Sequence, residues 1–225
     1  MRETVEKKVL SENDRLAAEL RQRYREQNVL CVNLISSPGS GKTALLEKTL
    51  ASLTPTQSVA VLTGDVQTDN DARRLAHYGF PVRQIVTGGT CHLDARMIDR
   101  HLAEMGFHGP GLLLVENVGN LVCPSSYDLG EAAKIVLLSV TEGEDKPLKY
   151  PGIFHRASLM ILTKTDLLPH VDFNSELAFE NACKIHPEIE YIALSSKTGD
   201  GFQKWLEWLN ALQHKFQQPA AAINS

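Results

Sequence analysis

Ser36-Ser37-Pro38-Gly39-Ser40-Gly41-Lys42-Thr43 lies between an apolar run of strand character over 29–35 (VLCVNLI) and a segment of helical spacing over 42–53. That context constrains the chain more than any other feature. A glycine-rich loop that leaves a buried strand and opens a helix is a phosphate cradle. Its backbone N–H groups turn inward on phosphate oxygens, and the helix N-terminus adds partial positive charge. In such a loop Lys42 neutralises the β- and γ-phosphates, and Thr43 offers its hydroxyl to Mg²⁺. Ser37, Pro38, Gly39, Ser40, Gly41 and Ala44 complete the set of candidate nucleotide contacts. Ser36 stands where such loops usually begin with glycine.

The rest of the chain alternates in the way this loop requires. Apolar, β-rich runs occur at 29–35, 58–63, 82–86, 112–116, 134–140, 159–163 and 190–195, with helical spacing at 42–53, 69–78, 92–105, 175–185 and 201–215. Continuous apolar strands are buried on both faces, and strands alternating with helices build a mostly parallel sheet. The expectation is an α/β, three-layer P-loop NTPase fold with a sheet of about seven strands. It has one domain over 29–216, an amphipathic N-terminal helix in 1–28 and a flexible tail over 217–225. The helix is read over 3–26, with Val5, Val9, Leu10, Leu16 and Leu20 as its apolar face.

Composition closes off several alternatives. The 43% hydrophobic content is enough for a full core, and a net charge of −4 with no basic cluster argues against nucleic acid. The longest apolar runs, such as 135–140, are too short to span a bilayer. The N-terminus is charged, without the apolar core of a secretion signal, so a cytoplasmic protein with no membrane association is expected.

Two further segments choose the nucleotide. Thr163-Lys164-Thr165-Asp166 ends a strand and resembles the NKxD signature, in which the aspartate accepts two hydrogen bonds from guanine and the lysine stem covers the base. Adenine lacks those donors and would leave the carboxylate unpaired. Ser195-Ser196-Lys197 follows another strand and resembles the loop that caps guanine. Thr163 replaces the usual asparagine. Asp65 and Glu116, both at strand ends, are the candidate Mg²⁺ and catalytic carboxylates beside Lys42 and Thr43. Glu116-Asn117-Val118-Gly119 resembles a DxxG switch, with Gly119 facing the nucleotide. A GTPase of slow intrinsic turnover is expected, because no arginine is placed to act on the γ-phosphate in cis.

The four cysteines, at 31, 91, 123 and 183, form no CxxC pair, and reduced thiols are the expectation. Cys91-His92 follows Gly88-Gly89-Thr90, and Cys123 lies seven residues past Glu116. Thiolate and imidazole suit Ni²⁺ or Zn²⁺, and three ligands leave a coordination position open. Spacing alone leaves packed structural cysteines as the alternative.

Taken together, SSPGSGKT, GDVQTDND, TGGTCHLDA, ENVGNLVCP, SVTEGEDKPLKYP and TKTDLLP resemble the HypB family, GTPases that assist nickel insertion into [NiFe] hydrogenase. The resemblance runs from about residue 29 to about 212. It implies a metal site of Cys91, His92 and Cys123, binding of GTP or GDP with Mg²⁺, and a GTP-linked homodimer with metal near the interface. It also implies a HypA-type nickel accessory protein and a hydrogenase large-subunit precursor as partners. The alternative is a urease-type or other metallocofactor-enzyme maturation GTPase without a functional nickel site; the urease accessory GTPases share the phosphate loop but typically carry a Cys-Pro-His motif. The N-terminal cysteine-rich motif and the histidine-rich tract of some relatives are absent from this sequence. The apolar stretch Leu167-Leu168-Pro169-His170-Val171 is read as a candidate association surface, with packing into the core as its alternative.

Overall fold

The computed structural model describes residues 2–66 and 70–218, with only the backbone described for 2–6. Gln67, Thr68 and Asp69 of the GDVQTDND stretch, residues 219–225 of the expected tail, and the Val5 side chain lie outside the described residues. Seven strands form one sheet: β1 (Val29–Ser36), β2 (Val59–Asp65), β3 (Val82–Val86), β4 (Gly111–Glu116), β5 (Ala133–Ser139), β6 (Leu159–Thr163) and β7 (Glu190–Ala193). The order is β3-β2-β4-β1-β5-β6-β7, and every pairing is parallel. Around it run α1 (Arg2–Gln27), α2 (Lys42–Ser52), α3 (Asn70–Ala76), α4 (Ala95–Met105), α5 (Cys123–Ser126), α6 (Lys146–Lys149), α7 (Pro151–Arg156), α8 (Ser175–Ile185) and α9 (Phe202–Gln217).

Strand periodicity sorts the core into two layers. Leu30, Val32 and Leu34 of β1 face Leu45, Leu46 and Leu50 of α2, with Trp205 and Leu209 of α9 in the same cluster. Val29 and Cys31 face the other way, toward Ala17, Leu20 and Tyr24 of α1 and Ile98 and Leu102 of α4. Farther along that face, Val136, Leu138, Met160 and Leu162 pack on Ile153, Phe154, Ala178 and Ala182 of α7 and α8. This is the expected three-layer α/β architecture with its N-terminal helix. Among the described residues no helix is long and apolar enough to cross a membrane.

Local expectations needed correction. The buried stripe of α1 is Asn13, Ala17, Leu20 and Tyr24, whereas Val9 is 50% exposed. The packing direction is set by Asn13, whose amide donates to the Asp128 carbonyl (2.9 Å) and accepts from Ala95 N–H (2.9 Å). Helix α4 begins at Ala95 and not at residue 92, because the Asp94 carboxylate accepts from Met97 N–H and caps it. The short helices α5, α6 and α7 follow prolines at their first turns and are too brief to show a period. Leu167 and Leu168, on a 3₁₀ turn over Thr165–His170, and Val171 just after it are partly buried and pack against the third core cluster.

Candidate nucleotide and metal sites

The phosphate loop leaves β1 at the middle of the sheet, where neighbours β4 and β5 diverge in chain order. Open α/β sheets bind ligands at such a crevice, beyond the strands' carboxyl ends. Gly39 and Gly41 adopt φ of 74° and 98°, which curls the backbone before α2. Lys42 is buried, and its ammonium donates to Ser36 Oγ (2.9 Å), so serine at the loop's first position orients the lysine. Burial lowers the Lys42 pKa against the opposing pull of Glu116.

Thr43 Oγ1 donates to Glu116 Oε1 at 2.8 Å. Burial pushes the Glu116 carboxyl up to about 7, although Lys42 and Thr43 both draw it down. Its Oε2 is buried without a hydrogen-bond partner. A buried carboxylate oxygen with no donor, beside a threonine hydroxyl, fits a hard divalent cation of oxygen ligation such as Mg²⁺. Asp65 lines the same 480 Å³ cavity with Pro38, Gly39, Gly41, Lys42, Ala44, Glu116 and Gly119. Gly119 lies against the phosphate loop: a Cβ there would come within 3.0 Å of Pro38 Cα.

The base loops meet as a pair. Ser195 Oγ donates to Asp166 Oδ1 (2.6 Å) and accepts from Lys197 and Thr198 N–H (3.2 and 3.1 Å). Ser196 and Lys197 therefore sit in a turn tied to the Asp166 carboxylate. Lys164 has φ of 58°, a left-handed turn at the strand end that sets off the segment leading to Asp166. Thr163 Oγ1 donates to the Ser40 carbonyl at 2.6 Å. The threonine that replaces asparagine thus ties the base loop to the phosphate loop through its hydroxyl.

Glu142 and Lys146 were missed by the sequence reading. Glu142 Oε1 accepts from Ser40 Oγ (2.7 Å) and Ser139 N–H (3.0 Å), and Lys146 Nζ lies 3.3 Å from its other oxygen. Burial raises the Glu142 pKa, but hydrogen bonds from Ser37, Ser139 and Ser40 outweigh it and hold the carboxyl low. Their signal was present in SVTEGEDKP, which follows β5, the strand beside the phosphate loop.

Ligand atoms of Cys91, His92 and Cys123 lie within 4.8 Å of one another. Cys91 and His92 occupy a bend after Gly88 and Gly89, whose φ values of 62° and 107° let adjacent side chains face one point. Burial lowers the His92 pKa, which favours the neutral, metal-binding imidazole. Tyr127 stacks on the ring at 3.7 Å. The hydrogen bond with Cys91, then burial, raises the Cys123 thiol. Two thiols and a neutral imidazole form a soft donor set that must release protons to bind a cation. Of the other cysteines, Cys31 is fully buried and Cys183 packs beside the third core cluster.

Comparison with known proteins gives a consistent picture. The family model described as "CobW/HypB/UreG, nucleotide-binding domain" matches residues 30–193. The hydrogenase maturation factor HypB of Azotobacter vinelandii is 52% identical over 205 residues, covering 91% of this chain and 68% of that protein. Among solved structures, HypB of Helicobacter pylori in complex with nickel superposes with a TM-score of 0.85 at 39% identity, over 94% of this chain and all of that one. HypB of Archaeoglobus fulgidus gives 0.84 at 38% identity, covering 90% and 99%.

Proposed function

The chain belongs to the HypB branch of the CobW/HypB/UreG family of nucleotide-binding domains, and from that premise we propose that it is a GTP-hydrolysing metallochaperone for nickel delivery to hydrogenase. The observation that carries this reading is the Cys91–His92–Cys123 cluster, whose third member follows Glu116 by seven residues. Nickel is the cargo; the same donor set accepts zinc. Three protein ligands leave a position through which a metal can pass to a client.

In this reading the phosphate-loop N–H groups, Lys42 and the start of α2 bind and orient the β- and γ-phosphates. Asp166, held by Ser195, accepts from guanine, and Lys164 covers the base. Thr43, Glu116 and Asp65 would hold Mg²⁺, which when bound supplies charge neutralisation between the β- and γ-phosphates. Turnover is slow and assembly GTP-linked, with a homodimer as the loaded form. A HypA-type accessory protein and a hydrogenase large-subunit precursor are its partners, in the cytoplasm.

A competitive nickel titration tests the reading. Cys91→Ala and Cys123→Ala should each weaken nickel binding about 100-fold or more while leaving GTP affinity within about twofold. Binding should also weaken as pH falls below neutral, since the thiols must deprotonate. Equal nickel affinity in both variants and the wild type would leave a GTPase without a metal role.

A further inference from the structure

Glu116 ends β4 and Asn117 follows it directly, its N–H still donating to the Leu34 carbonyl of β1 (3.0 Å), so their side chains leave opposite faces of the sheet. Glu116 faces α2 and accepts from Thr43. Asn117 faces the metal loop: its Oδ1 accepts from Leu93 N–H (3.2 Å) and Val118 N–H (3.0 Å). Leu93 follows the ligand His92 directly. Its side chain fills the space above Gly64, where a Cβ would come within 2.8 Å of it, so the metal loop rests on the end of β2 as well.

The other side of Asn117 is fixed in the interior. Its Nδ2 donates to Asn33 Oδ1 (3.2 Å), and Asn33 Nδ2 donates to Glu131 Oε1 (3.2 Å). Glu131 Oε2 in turn accepts from Leu129 N–H (2.7 Å). Asn117 is 2% exposed, Asn33 0% and Glu131 8%. Buried amides joined in this way have few alternative arrangements, because each broken bond strands a polar atom away from water. A lighter tether runs parallel: Asn120 Nδ2 donates to the Cys91 carbonyl at 3.4 Å.

We propose that Asn117 is a positioning residue that couples the nucleotide to the cargo metal, by seating the Cys91–His92 loop on the strand end that carries Glu116. The proposal rests on the metallochaperone reading above and adds the group that links its two sites. Displacement of residues 116–119 on the phosphate-loop side must pull the Leu93 N–H on the other side, because Asn117 belongs to both. Coupling then depends on this amide and not on the rigidity of the metal loop in general. Asn13 supplies the contrast: its amide holds Ala95 and Asp128, residues outside both the 116–119 segment and the Cys91–His92 pair.

The test is a chelator-competition titration with Ni²⁺ on the full chain, with GDP and with a non-hydrolysable GTP analogue. Wild-type affinities should differ about tenfold between the two states. Asn117→Ala should bring the ratio below about twofold, a change that general loosening does not produce. Asn13→Ala should weaken binding equally in both states and keep the wild-type ratio. If Asn117→Ala does not fold, Asn117→Ser, whose shorter side chain does not reach Leu93 N–H, replaces it and should cut the ratio at least about threefold. An unchanged ratio in Asn117→Ala, or in Asn117→Ser when that variant stands in, overturns the proposal. So does a ratio lost equally in Asn13→Ala, or a wild-type ratio of one. Those results leave nickel binding itself intact; wild-type protein that binds no nickel overturns the metallochaperone reading as well.

Discussion

At the scale of single residues, Glu116 concentrates the site's electrostatics. It is a buried carboxyl with a pKa of about 7 against 4.5 for the ordinary side chain. The folded state therefore holds the proton more tightly than the unfolded state does. Its contribution to stability is fully present below pH 4.5 and is lost as pH rises to about 7, a change of about 3 kcal/mol. Glu116→Gln removes that titration. In nucleotide-free and metal-free protein, the stability of the variant relative to wild type should rise by about 3 kcal/mol between pH 4.5 and 7.5 in urea unfolding. A difference that stays constant with pH would show that the carboxyl ionises normally. Ser36 and Thr163, which depart from the usual motifs, were legible as departures. Their work was not: one hydroxyl accepts from Lys42, and the other donates to the Ser40 carbonyl.

At the scale of elements, α1 is the strut behind the metal loop. Its apolar spacing announced a helix, but the buried face turned on Asn13 and Tyr24, which an apolar count passes over. The helix lies against Gly130, whose φ of 77° puts the missing Cβ 2.8 Å from the Ala17 carbonyl and 2.9 Å from Arg21 N. Gly130→Ala must both strain the backbone and push α1 outward. A loss of about 2–3 kcal/mol is expected, which is about 5–10 °C in Tm for a chain of this size. GTP affinity should stay near wild type, since the contacts lie on the face of the sheet away from the phosphate loop. A Tm within about 1 °C of wild type would mean that α1 does not bear on Gly130 in solution. The Arg21–Asp128 ion pair between the same elements is about one-third exposed on each side and contributes little.

At the scale of the whole molecule, the sheet order collects the site. Strands β1, β2, β4, β6 and β7 end on one edge, and the phosphate loop, Asp65, Glu116, Thr163–Asp166 and Ser195–Lys197 follow from that edge. The Cys91–His92–Cys123 cluster lies on the loops after β3 and β4, so the candidate nucleotide and metal sites share β4. Self-association belongs to this scale too. Leu167 and Val171 are partly buried against the third core cluster, so Leu167→Ala with Val171→Ala should lower thermal stability. On the proposal of a GTP-linked homodimer, it should leave sedimentation with bound GTP as in the wild type. A double variant of native stability that fails to associate would return this segment to the surface.

The sequence alone determined the class of fold and the phosphate loop and singled out the two candidate base segments, because each is local: a short motif in a fixed strand–loop–helix setting carries its own geometry. It also named Cys91, His92 and Cys123, but spacing left them beside the alternative of packed thiols. Only the parallel order of β2, β3 and β4 brings Cys123 to Cys91 across 32 positions of chain. The start of α4, the buried stripe of α1 and the seat of Leu93 on Gly64 and Asn117 were likewise decided in three dimensions. The hydrogen bonds that Asn13 makes to Asp128, Asn33 to Glu131 and Asn117 to Asn33 span up to 115 positions. No period or motif records a buried amide's partner, because that partner is whichever polar group the packing of distant elements leaves within 3.2 Å.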